Sequence, residues 1–187
     1  MVPGARSKLV LASRSPQRSA ILEQLGIPFE VVPSGIDEDT KGEPAEVVLR
    51  NARRKAQAVE GGTVLGVDTE VYLDGRLFGK PRDEDQARRY LERLSGRTHE
   101  VFSGLVLIHD RKEHSGTART EVTFRDLAPP LVEWYLEGAE WRDRAGGYAV
   151  QGRGAALVAS IEGDYWNVVG LPVALLLNLA PWLLEAA

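Results

Sequence analysis

Residues 8–26 read KLVLASRSPQRSAILEQLG, which combines a short apolar strand, a polar loop and a helix. Ser15 stands where a helix N-cap residue is expected, and Pro16 suits the first helical position. The N–H groups of a helix's first turn and the helix dipole favour an anion. Arg14 and Arg18 add positive charge beside this turn. The stretch therefore predicts a phosphate site that follows the first strand of an α/β fold.

Composition narrows the class of protein. The 187 residues are 43% hydrophobic, which suffices for the core of one α/β domain, and we treat residues 1–187 as a single domain. A net charge of -4 argues against a protein that coats DNA or RNA, so no nucleic-acid partner is expected. The absence of cysteine excludes disulfides, thiolate zinc sites and cysteine nucleophiles.

No segment predicts export or membrane insertion. The first residues lack the apolar run of a signal peptide. The most apolar stretch, Leu171–Leu184, is shorter than the roughly 20 residues that cross a bilayer. We expect it to form a buried terminal helix, and we expect a cytoplasmic protein without a membrane partner.

Strands and helices alternate early in the chain, whereas the middle is rich in paired strands. Asp74-Gly75 is a hairpin turn signal, and Asp83 with Gln86 resembles a capping box. Periodicity predicts further strands at 29–32, 64–73, 99–110, 116–125 and 155–162, and helices at 44–59, 83–96, 129–137 and from about 172. This order predicts an α/β fold with a mixed, twisted β-sheet flanked by helices.

Lys55 is informative because of its place on the second predicted helix. Val48, Ala52 and Val59 form an apolar stripe, and Lys55 falls on that stripe. A lysine that faces inward must pair with an acid, serve a site, or extend its stem over the core to reach water. The pattern leaves these alternatives open.

Asp68 is a carboxylate within an apolar strand, between Gly66-Val67 and Thr69. Such a residue is costly unless it is hydrogen-bonded or binds a metal. It suits a general base or a Mg²⁺ ligand, and the alternative is a buried Asp satisfied by backbone N–H groups. Glu70 lies on the same face of the strand, although it could already lie beyond the site.

Other polar residues give weaker signals when each is taken alone. Lys80 lies in a stiff Gly-Lys-Pro turn, and Gln151 stands in a glycine-rich stretch where its amide could contact a base. The three histidines are too scattered to predict a metal triad. The chain has no Walker A motif and no Gly-x-Gly-x-x-Gly after its first strand, so a dinucleotide site is unsupported.

Together, these segments resemble the Maf family of nucleoside triphosphate pyrophosphatases, also called septum-formation-inhibitor proteins. Each segment is modest, but their order and spacing over most of the chain are specific. The matching segments are LASRSPQR at 11–18, DE at 37–38, ARRKA at 52–56, GVDT at 66–69, GKP at 79–81, LSG at 94–96 with His99, AGGYAVQG at 145–152 and NVVGLP at 167–172.

The resemblance implies an inosine-triphosphate-pyrophosphatase-like fold, with two lobes around a cleft. It implies hydrolysis of a nucleoside triphosphate to the monophosphate and pyrophosphate, with Mg²⁺ or Mn²⁺ as cofactor. Asp68 matches the family's proton acceptor, and Asp68 and Glu38 could hold the cation. The family's polar site residues match Ser13, Arg18, Glu38, Lys55 and Lys80.

Three positions sort the branches of this family, and here they hold Gln17, Thr69 and Gln151. Thr69 and Gln151 resemble the dTTP/UTP branch, since the 7-methyl-GTP branch usually has Gln and Glu there. Gln17 departs from the dTTP/UTP branch, which normally has Arg. The resemblance therefore favours dTTP and UTP and leaves the choice of base open at Gln17.

Two rival functions remain at this stage. One is a pyrophosphatase for 7-methyl-GTP or a modified nucleotide, and the other is a non-catalytic nucleotide-binding regulator of cell division. A pure binder has no need of a buried Asp68 beside a phosphate pocket, so hydrolysis is favoured. The family also suggests a homodimer, although nothing in the sequence locates an interface.

Overall fold

The computed structural model describes residues 8–186, with side chains described through Leu184. Seven strands form one sheet: β1 (Leu9–Leu11), β2 (Phe29–Val31), β3 (Thr63–Leu73), β4 (Arg76–Phe78), β5 (Thr98–His109), β6 (Lys112–Phe124) and β7 (Val158–Glu162). Six α-helices accompany it: α1 (Pro16–Gln24), α2 (Pro44–Gln57), α3 (Glu84–Leu94), α4 (Pro129–Glu137), α5 (Tyr165–Val169) and α6 (Val173–Leu179).

The sheet is mixed, as the sequence predicts. Its order is β2-β1-β3-β5-β6-β7, with β4 also paired to β3. β1 runs parallel to β2 and β3, whereas the pairs formed by β4, β5, β6 and β7 are antiparallel. The α/β fold with a mixed sheet flanked by helices is therefore confirmed.

The central strand β3 has an open edge in its middle. On one side it pairs with β5 over residues 63–72. On the other side, β1 pairs with residues 63–65 and β4 with residues 71–73. In the part of the chain described, no strand covers residues 66–70 on that side, so this stretch faces a gap between β1 and β4.

Two apolar clusters lie on either side of this gap. β3 contributes Leu65 and Val67 to a cluster with β1, α1 and α6. It contributes Val71 and Leu73 to another with α3 and α4. Residues 68–70 are the polar interval where the strand passes from one cluster to the other.

Helix α2 packs directly on the sheet because two glycines leave room for its backbone. A Cβ on Gly66 would lie 2.2 Å from the carbonyl oxygen of Ala52. A Cβ on Gly104 would lie 2.3 Å from that of Val48. Gly104 is the cross-strand partner of Asp68, so the close approach occurs at the level of that carboxylate.

Two local expectations are wrong, and one helix was not predicted. The last predicted strand begins at Val158 rather than Ala155, because residues 153–156 form a 3-10 turn. The helix α5 was not predicted. Leu171–Leu184 is not one helix, since α6 ends at Leu179 and a 3-10 helix begins at Pro181, a residue without a backbone N–H.

The hairpin signal is confirmed and the capping box is half formed, because the Gln86 side chain accepts from the N–H of Arg82 rather than from that of Asp83. Asp74 and Gly75 both have positive φ in the two-residue hairpin between β3 and β4. Asp83 caps α3, since its side chain accepts a hydrogen bond from the backbone N–H of Gln86.

Across residues 8–186, none of the helices has the length and apolar character of a membrane span.

Candidate active site

A cleft of about 650 Å³ opens at the free edge of β3. Its size lies within the range of small-molecule sites. The walls come from the loop after β1, the segment at 33–38, the middle of β3, Lys80, the segment at 143–148 and the end of α5. The phosphate loop predicted from the first strand and helix therefore forms one wall of a larger site.

Asp68 lies at the base of this cleft and is only 2% exposed. Its Oδ1 accepts a hydrogen bond from Lys55 Nζ at 2.6 Å, and its Oδ2 accepts one from Asn51 Nδ2 at 2.9 Å. Side chains, rather than backbone N–H groups, therefore satisfy Asp68. This arrangement contradicts the alternative of a purely backbone-bonded Asp.

Lys55 faces inward, as the apolar stripe of α2 predicts, and it does not reach into solvent. Its ammonium group lies 2.6 Å from Asp68 Oδ1 and 2.6 Å from Glu38 Oε1. The same nitrogen donates to the carbonyl of Val67 at 3.3 Å. One buried cation therefore joins β3, α2 and the loop that carries Glu38.

Glu38 is held ionised by its neighbours. Burial alone would raise the pKa of its carboxyl, but the charge and hydrogen bond of Lys55 outweigh burial, and Lys80 and Arg18 add to the effect. The net result is a pKa below the usual value for glutamate. Glu38 therefore contributes a negative charge to the cleft at neutral pH.

Arg18 is buried within the wall of the cleft rather than extended into it. Its Nε donates to the carbonyl of Gly170 at 2.9 Å, and its Nη1 donates to Ser13 Oγ at 2.8 Å. Its Nη2 donates to Thr69 Oγ1 at 3.2 Å. Burial lowers the pKa of Arg18 from its usual value, while the charges of Asp68 and Glu38 act in the opposite direction.

The predicted N-cap of α1 has the expected position but not the expected bond. Ser15 is the N-cap residue and Pro16 opens the helix, yet the Ser15 side chain makes no capping hydrogen bond. Instead, Ser15 Oγ donates to Gln17 Oε1 at 2.8 Å. Gln17 lines the cleft, and its amide is held beside the first turn of the helix.

The structure brings together all but one of the residues that the sequence singles out. Gln151 is exposed and lies outside the cleft lining, so the described conformation does not bring it to the other candidates. The cleft is lined by the remaining eight, which are Ser13, Gln17, Arg18, Glu38, Lys55, Asp68, Thr69 and Lys80.

Sequence reasoning missed Asn51. Its Nδ2 bonds both to Asp68 and to the carbonyl of Asp39, and its Oδ1 accepts from the Asp39 N–H at 2.8 Å. It therefore ties the loop that carries Glu38 to β3. Asn51 precedes Lys55 by four residues, so the same helical stripe could have identified it.

Glu70 was noted but given no role, and it lines the cleft as well. It is 5% exposed, and its Oε2 has no hydrogen-bond partner among the described residues. Burial, and then the charges of Asp68 and Glu38, raise the pKa of Glu70 to about 8. A carboxyl so placed is costly to ionise without a further cation.

The donor set of the cleft fits a hard divalent cation. Asp68, Glu38 and Glu70 supply carboxylate oxygens, and one of these oxygens is buried without a partner. Residues 8–184 hold no group of three His, Asp or Glu side chains already arranged as a metal cage. Mg²⁺ commonly uses one or two carboxylates and completes its shell with water and substrate phosphates, so a subset of these three carboxyl groups suffices.

Comparisons with known proteins give a consistent pattern. A family model described as Maf-like protein matches residues 8–181. A dTTP/UTP pyrophosphatase of Pyrococcus furiosus is 44% identical over 180 residues, covering 92% of this chain and 93% of the relative. One of Moorella thermoacetica is 50% identical over 175 residues, covering 89% and 90%. The Staphylococcus aureus Ham1 protein gives a TM-score of 0.41 at 15% identity over 62% of this chain and 71% of that one, a likeness too distant for any conclusion.

Proposed function

The chain belongs to the Maf family, and on this premise we propose that it is a nucleoside triphosphate pyrophosphatase that acts on dTTP and UTP. The observation that carries the proposal is the bridge formed by Lys55 between Asp68 and Glu38 at the base of the cleft. This bridge lines the same cleft as Ser13 of the loop after β1 and Arg18 of α1. The site thus combines a buried carboxylate with the cations that a triphosphate requires.

Hydrolysis of a phosphoanhydride depends on positioning and on neutralisation of charge. Water adds to a phosphorus atom of the substrate, the bond between the α- and β-phosphates breaks, and the products are the monophosphate and pyrophosphate. Lys55 and Lys80 lie on the cleft surface and offset phosphate charge. Arg18 contributes positive electrostatic potential from within the wall, where it donates hydrogen bonds to Ser13 and Thr69.

Asp68 orients the attacking water and accepts its proton. Each of its oxygens accepts one hydrogen bond within the protein, and a carboxylate oxygen has a second lone pair that can accept from water. Asn51 and Lys55 fix the direction of the carboxylate. Asp68 and Glu38 would hold Mg²⁺ or Mn²⁺, which when bound supplies further neutralisation of the phosphates.

Gln17 and Thr69 are the residues that we assign to base selection within the cleft. The names of the relatives support pyrimidine triphosphates. Gln151 belongs to the same proposal on the family pattern alone, because it is exposed outside the cleft lining. A homodimer and a cytoplasmic location stay predictions of the family resemblance.

A panel of nucleotides tests the substrate. Pyrophosphate release is measured with dTTP, UTP, CTP, GTP and 7-methyl-GTP in the presence of Mg²⁺ or Mn²⁺. We expect dTTP and UTP to have the highest kcat/KM values. A preference for 7-methyl-GTP would replace the substrate, and binding without pyrophosphate from any triphosphate would favour the regulator that only binds nucleotides.

A further inference from the structure

Glu70 is a buried carboxyl in the cleft that the proposed reaction does not use. It shares the α2-facing side of β3 with Asp68, two residues away, and lines the same cleft. A buried glutamate normally has a hydrogen-bond partner or a counter-ion, because burial of an unpaired carboxyl is unfavourable. Its Oε2 is nevertheless unpartnered within the described chain.

The cations of the cleft do not pair with Glu70. Lys55 divides its ammonium group between Asp68 and Glu38, each at 2.6 Å. Lys80 acts on Glu70 only through its charge, as does Lys55. The buried ammonium group of Lys55 therefore binds two of the three carboxyl groups, and Glu70 is the one that it does not bind.

Gly79 lies next to the Glu70 carboxyl and has no side chain there. A Cβ on Gly79 would lie 3.5 Å from Glu70 Oε2 and 3.7 Å from Oε1. Gly79 does not have a positive φ, so its backbone conformation does not require glycine. The lack of a Cβ leaves a small space in front of both carboxylate oxygens.

We infer that Glu70 is a direct ligand of a divalent cation in this cleft, and that the cation binds to the nucleotide-free protein. Carboxylate oxygens are the preferred ligands of Mg²⁺ and Mn²⁺. A dication satisfies the unpartnered oxygen and offsets the mutual repulsion of Glu70, Asp68 and Glu38. The inference rests on the proposed function for the reason a cation is needed, but its test requires no nucleotide.

Two variants separate a ligand role from a structural role. Glu70→Gln keeps the shape but removes the carboxyl that can ionise and ligate a cation, whereas Glu70→Met replaces the carboxyl with an apolar group of similar length. Glu92→Gln, at an exposed position on α3, is the control for the same substitution outside the cleft. Binding of Mn²⁺ to each nucleotide-free protein is measured by electron paramagnetic resonance of the free ion, and thermal unfolding is followed with and without Mn²⁺.

We expect the wild type and Glu92→Gln to bind Mn²⁺ equally, and both Glu70 variants to raise the Kd at least tenfold. In metal-free buffer, Glu70→Met should unfold at the same temperature as the wild type or higher, because a buried unpaired carboxyl is gone. Mn²⁺ should raise the unfolding temperature of the wild type but not of Glu70→Met. These results together would establish lost ligation in a folded protein.

Unchanged Mn²⁺ affinity in Glu70→Gln and Glu70→Met would overturn the inference, as would a wild type that binds no Mn²⁺ without nucleotide. An altered nucleotide Kd with unchanged Mn²⁺ binding would overturn it in favour of a contact to the substrate itself. A different result would contradict only the proposed function. If Mn²⁺ binding depends on Glu70 but no triphosphate yields pyrophosphate, the inference about Glu70 holds and the proposed pyrophosphatase activity does not.

Discussion

Two groups of polar side chains pack against the same sheet, one around Asp68 of β3 in the cleft and one around His99 of β5 in the core. In the cleft, Lys55 lies 2.6 Å from each of two carboxylates, Asp68 and Glu38. In the core, His99 Nε2 and the Tyr148 hydroxyl lie 2.9 Å apart, with the Phe124 ring 4.8 Å from the His99 ring. The first group is charged, whereas the second is a neutral pair packed against an aromatic ring, with His99 outside the cleft lining and Tyr148 at its wall.

The difference indicates which buried polar groups serve a ligand. Burial lowers the pKa of His99 to about 4, so this side chain is neutral at physiological pH and pairs with a neutral hydroxyl. The cleft instead holds the ion pairs of Lys55 with Asp68 and Glu38, beside a Glu70 carboxyl whose Oε2 has no partner among the described residues. Residual charge at a cavity suits an incoming ion, while a neutral pair suits packing.

The largest expected effect is on catalysis in the cleft. Asp68→Asn removes the proposed proton acceptor but keeps the shape of the side chain, so kcat should fall at least about 100-fold. Pyrophosphate release from dTTP and UTP measures kcat, and circular dichroism checks that the variant is folded. Turnover close to wild type would show that Asp68 is another buried polar group without a catalytic role.

The next effect is on stability in the cleft. Lys55→Met leaves Asp68 and Glu38 without their shared cation, which should lower the free energy of unfolding by about 3 kcal/mol at pH 7. Denaturant unfolding measures the loss. Arg53→Met is the control on the same helix, because it breaks only the exposed pair with Glu113 and should cost less than about 1 kcal/mol. Equal losses would contradict the importance of the buried bridge.

A third effect separates the core from the cleft by pH. Native His99 stays neutral down to about pH 4, whereas unfolded histidine protonates near pH 6.5. The unfolded state therefore binds more protons in this window, and stability is lost as the pH falls through it. Relative to His99→Gln, the wild type should lose about 2 kcal/mol between pH 7 and pH 5.

Denaturant unfolding at several pH values measures this difference, and His114→Gln is the control. The comparison with His99→Gln removes the contribution of Glu70, whose raised pKa acts in the opposite direction. Glu70 retains a proton in the native state up to about pH 8, so its contribution to stability falls as the pH rises. Identical pH profiles for the wild type and His99→Gln would show that His99 does not contribute to the pH dependence of stability.

The smallest effect concerns base selection. Gln17 lines the cleft and Gln151 is exposed outside its lining, so Gln17→Ala should change the ratio of kcat/KM for UTP and 7-methyl-GTP more than Gln151→Ala does. We expect a change below about threefold for Gln151→Ala, which is under 1 kcal/mol. A larger change for Gln151→Ala would require its loop to move onto the cleft when substrate binds.

The sequence predicts the cleft group better than its surroundings. Lys55 and Asp68 break apolar patterns on a helix and a strand, and such breaks are visible in one dimension. The contact of Arg18 Nε with the carbonyl of Gly170 joins residues far apart in the chain, and no local pattern encodes it. The helix α5, which precedes that carbonyl, has only five residues, too few to show a helical period in the sequence.

The core group shows the opposite limit. His99 begins a strand that the sequence predicts, but its polar side chain alone does not distinguish a site residue from a structural one. Its role follows from Tyr148 and Phe124, which the fold brings to it from other elements. The open edge of β3 also depends on where β1 ends and β4 begins, and strand ends are weakly encoded.

The most direct test of the central claim is the product balance of UTP and dTTP hydrolysis, followed by phosphorus NMR in the wild type and Asp68→Asn. The charged cleft predicts equal amounts of nucleoside monophosphate and pyrophosphate from the wild type, with at least about 100-fold slower formation by the variant. Release of inorganic phosphate with the nucleoside diphosphate, or equal rates in the two proteins, would contradict the account.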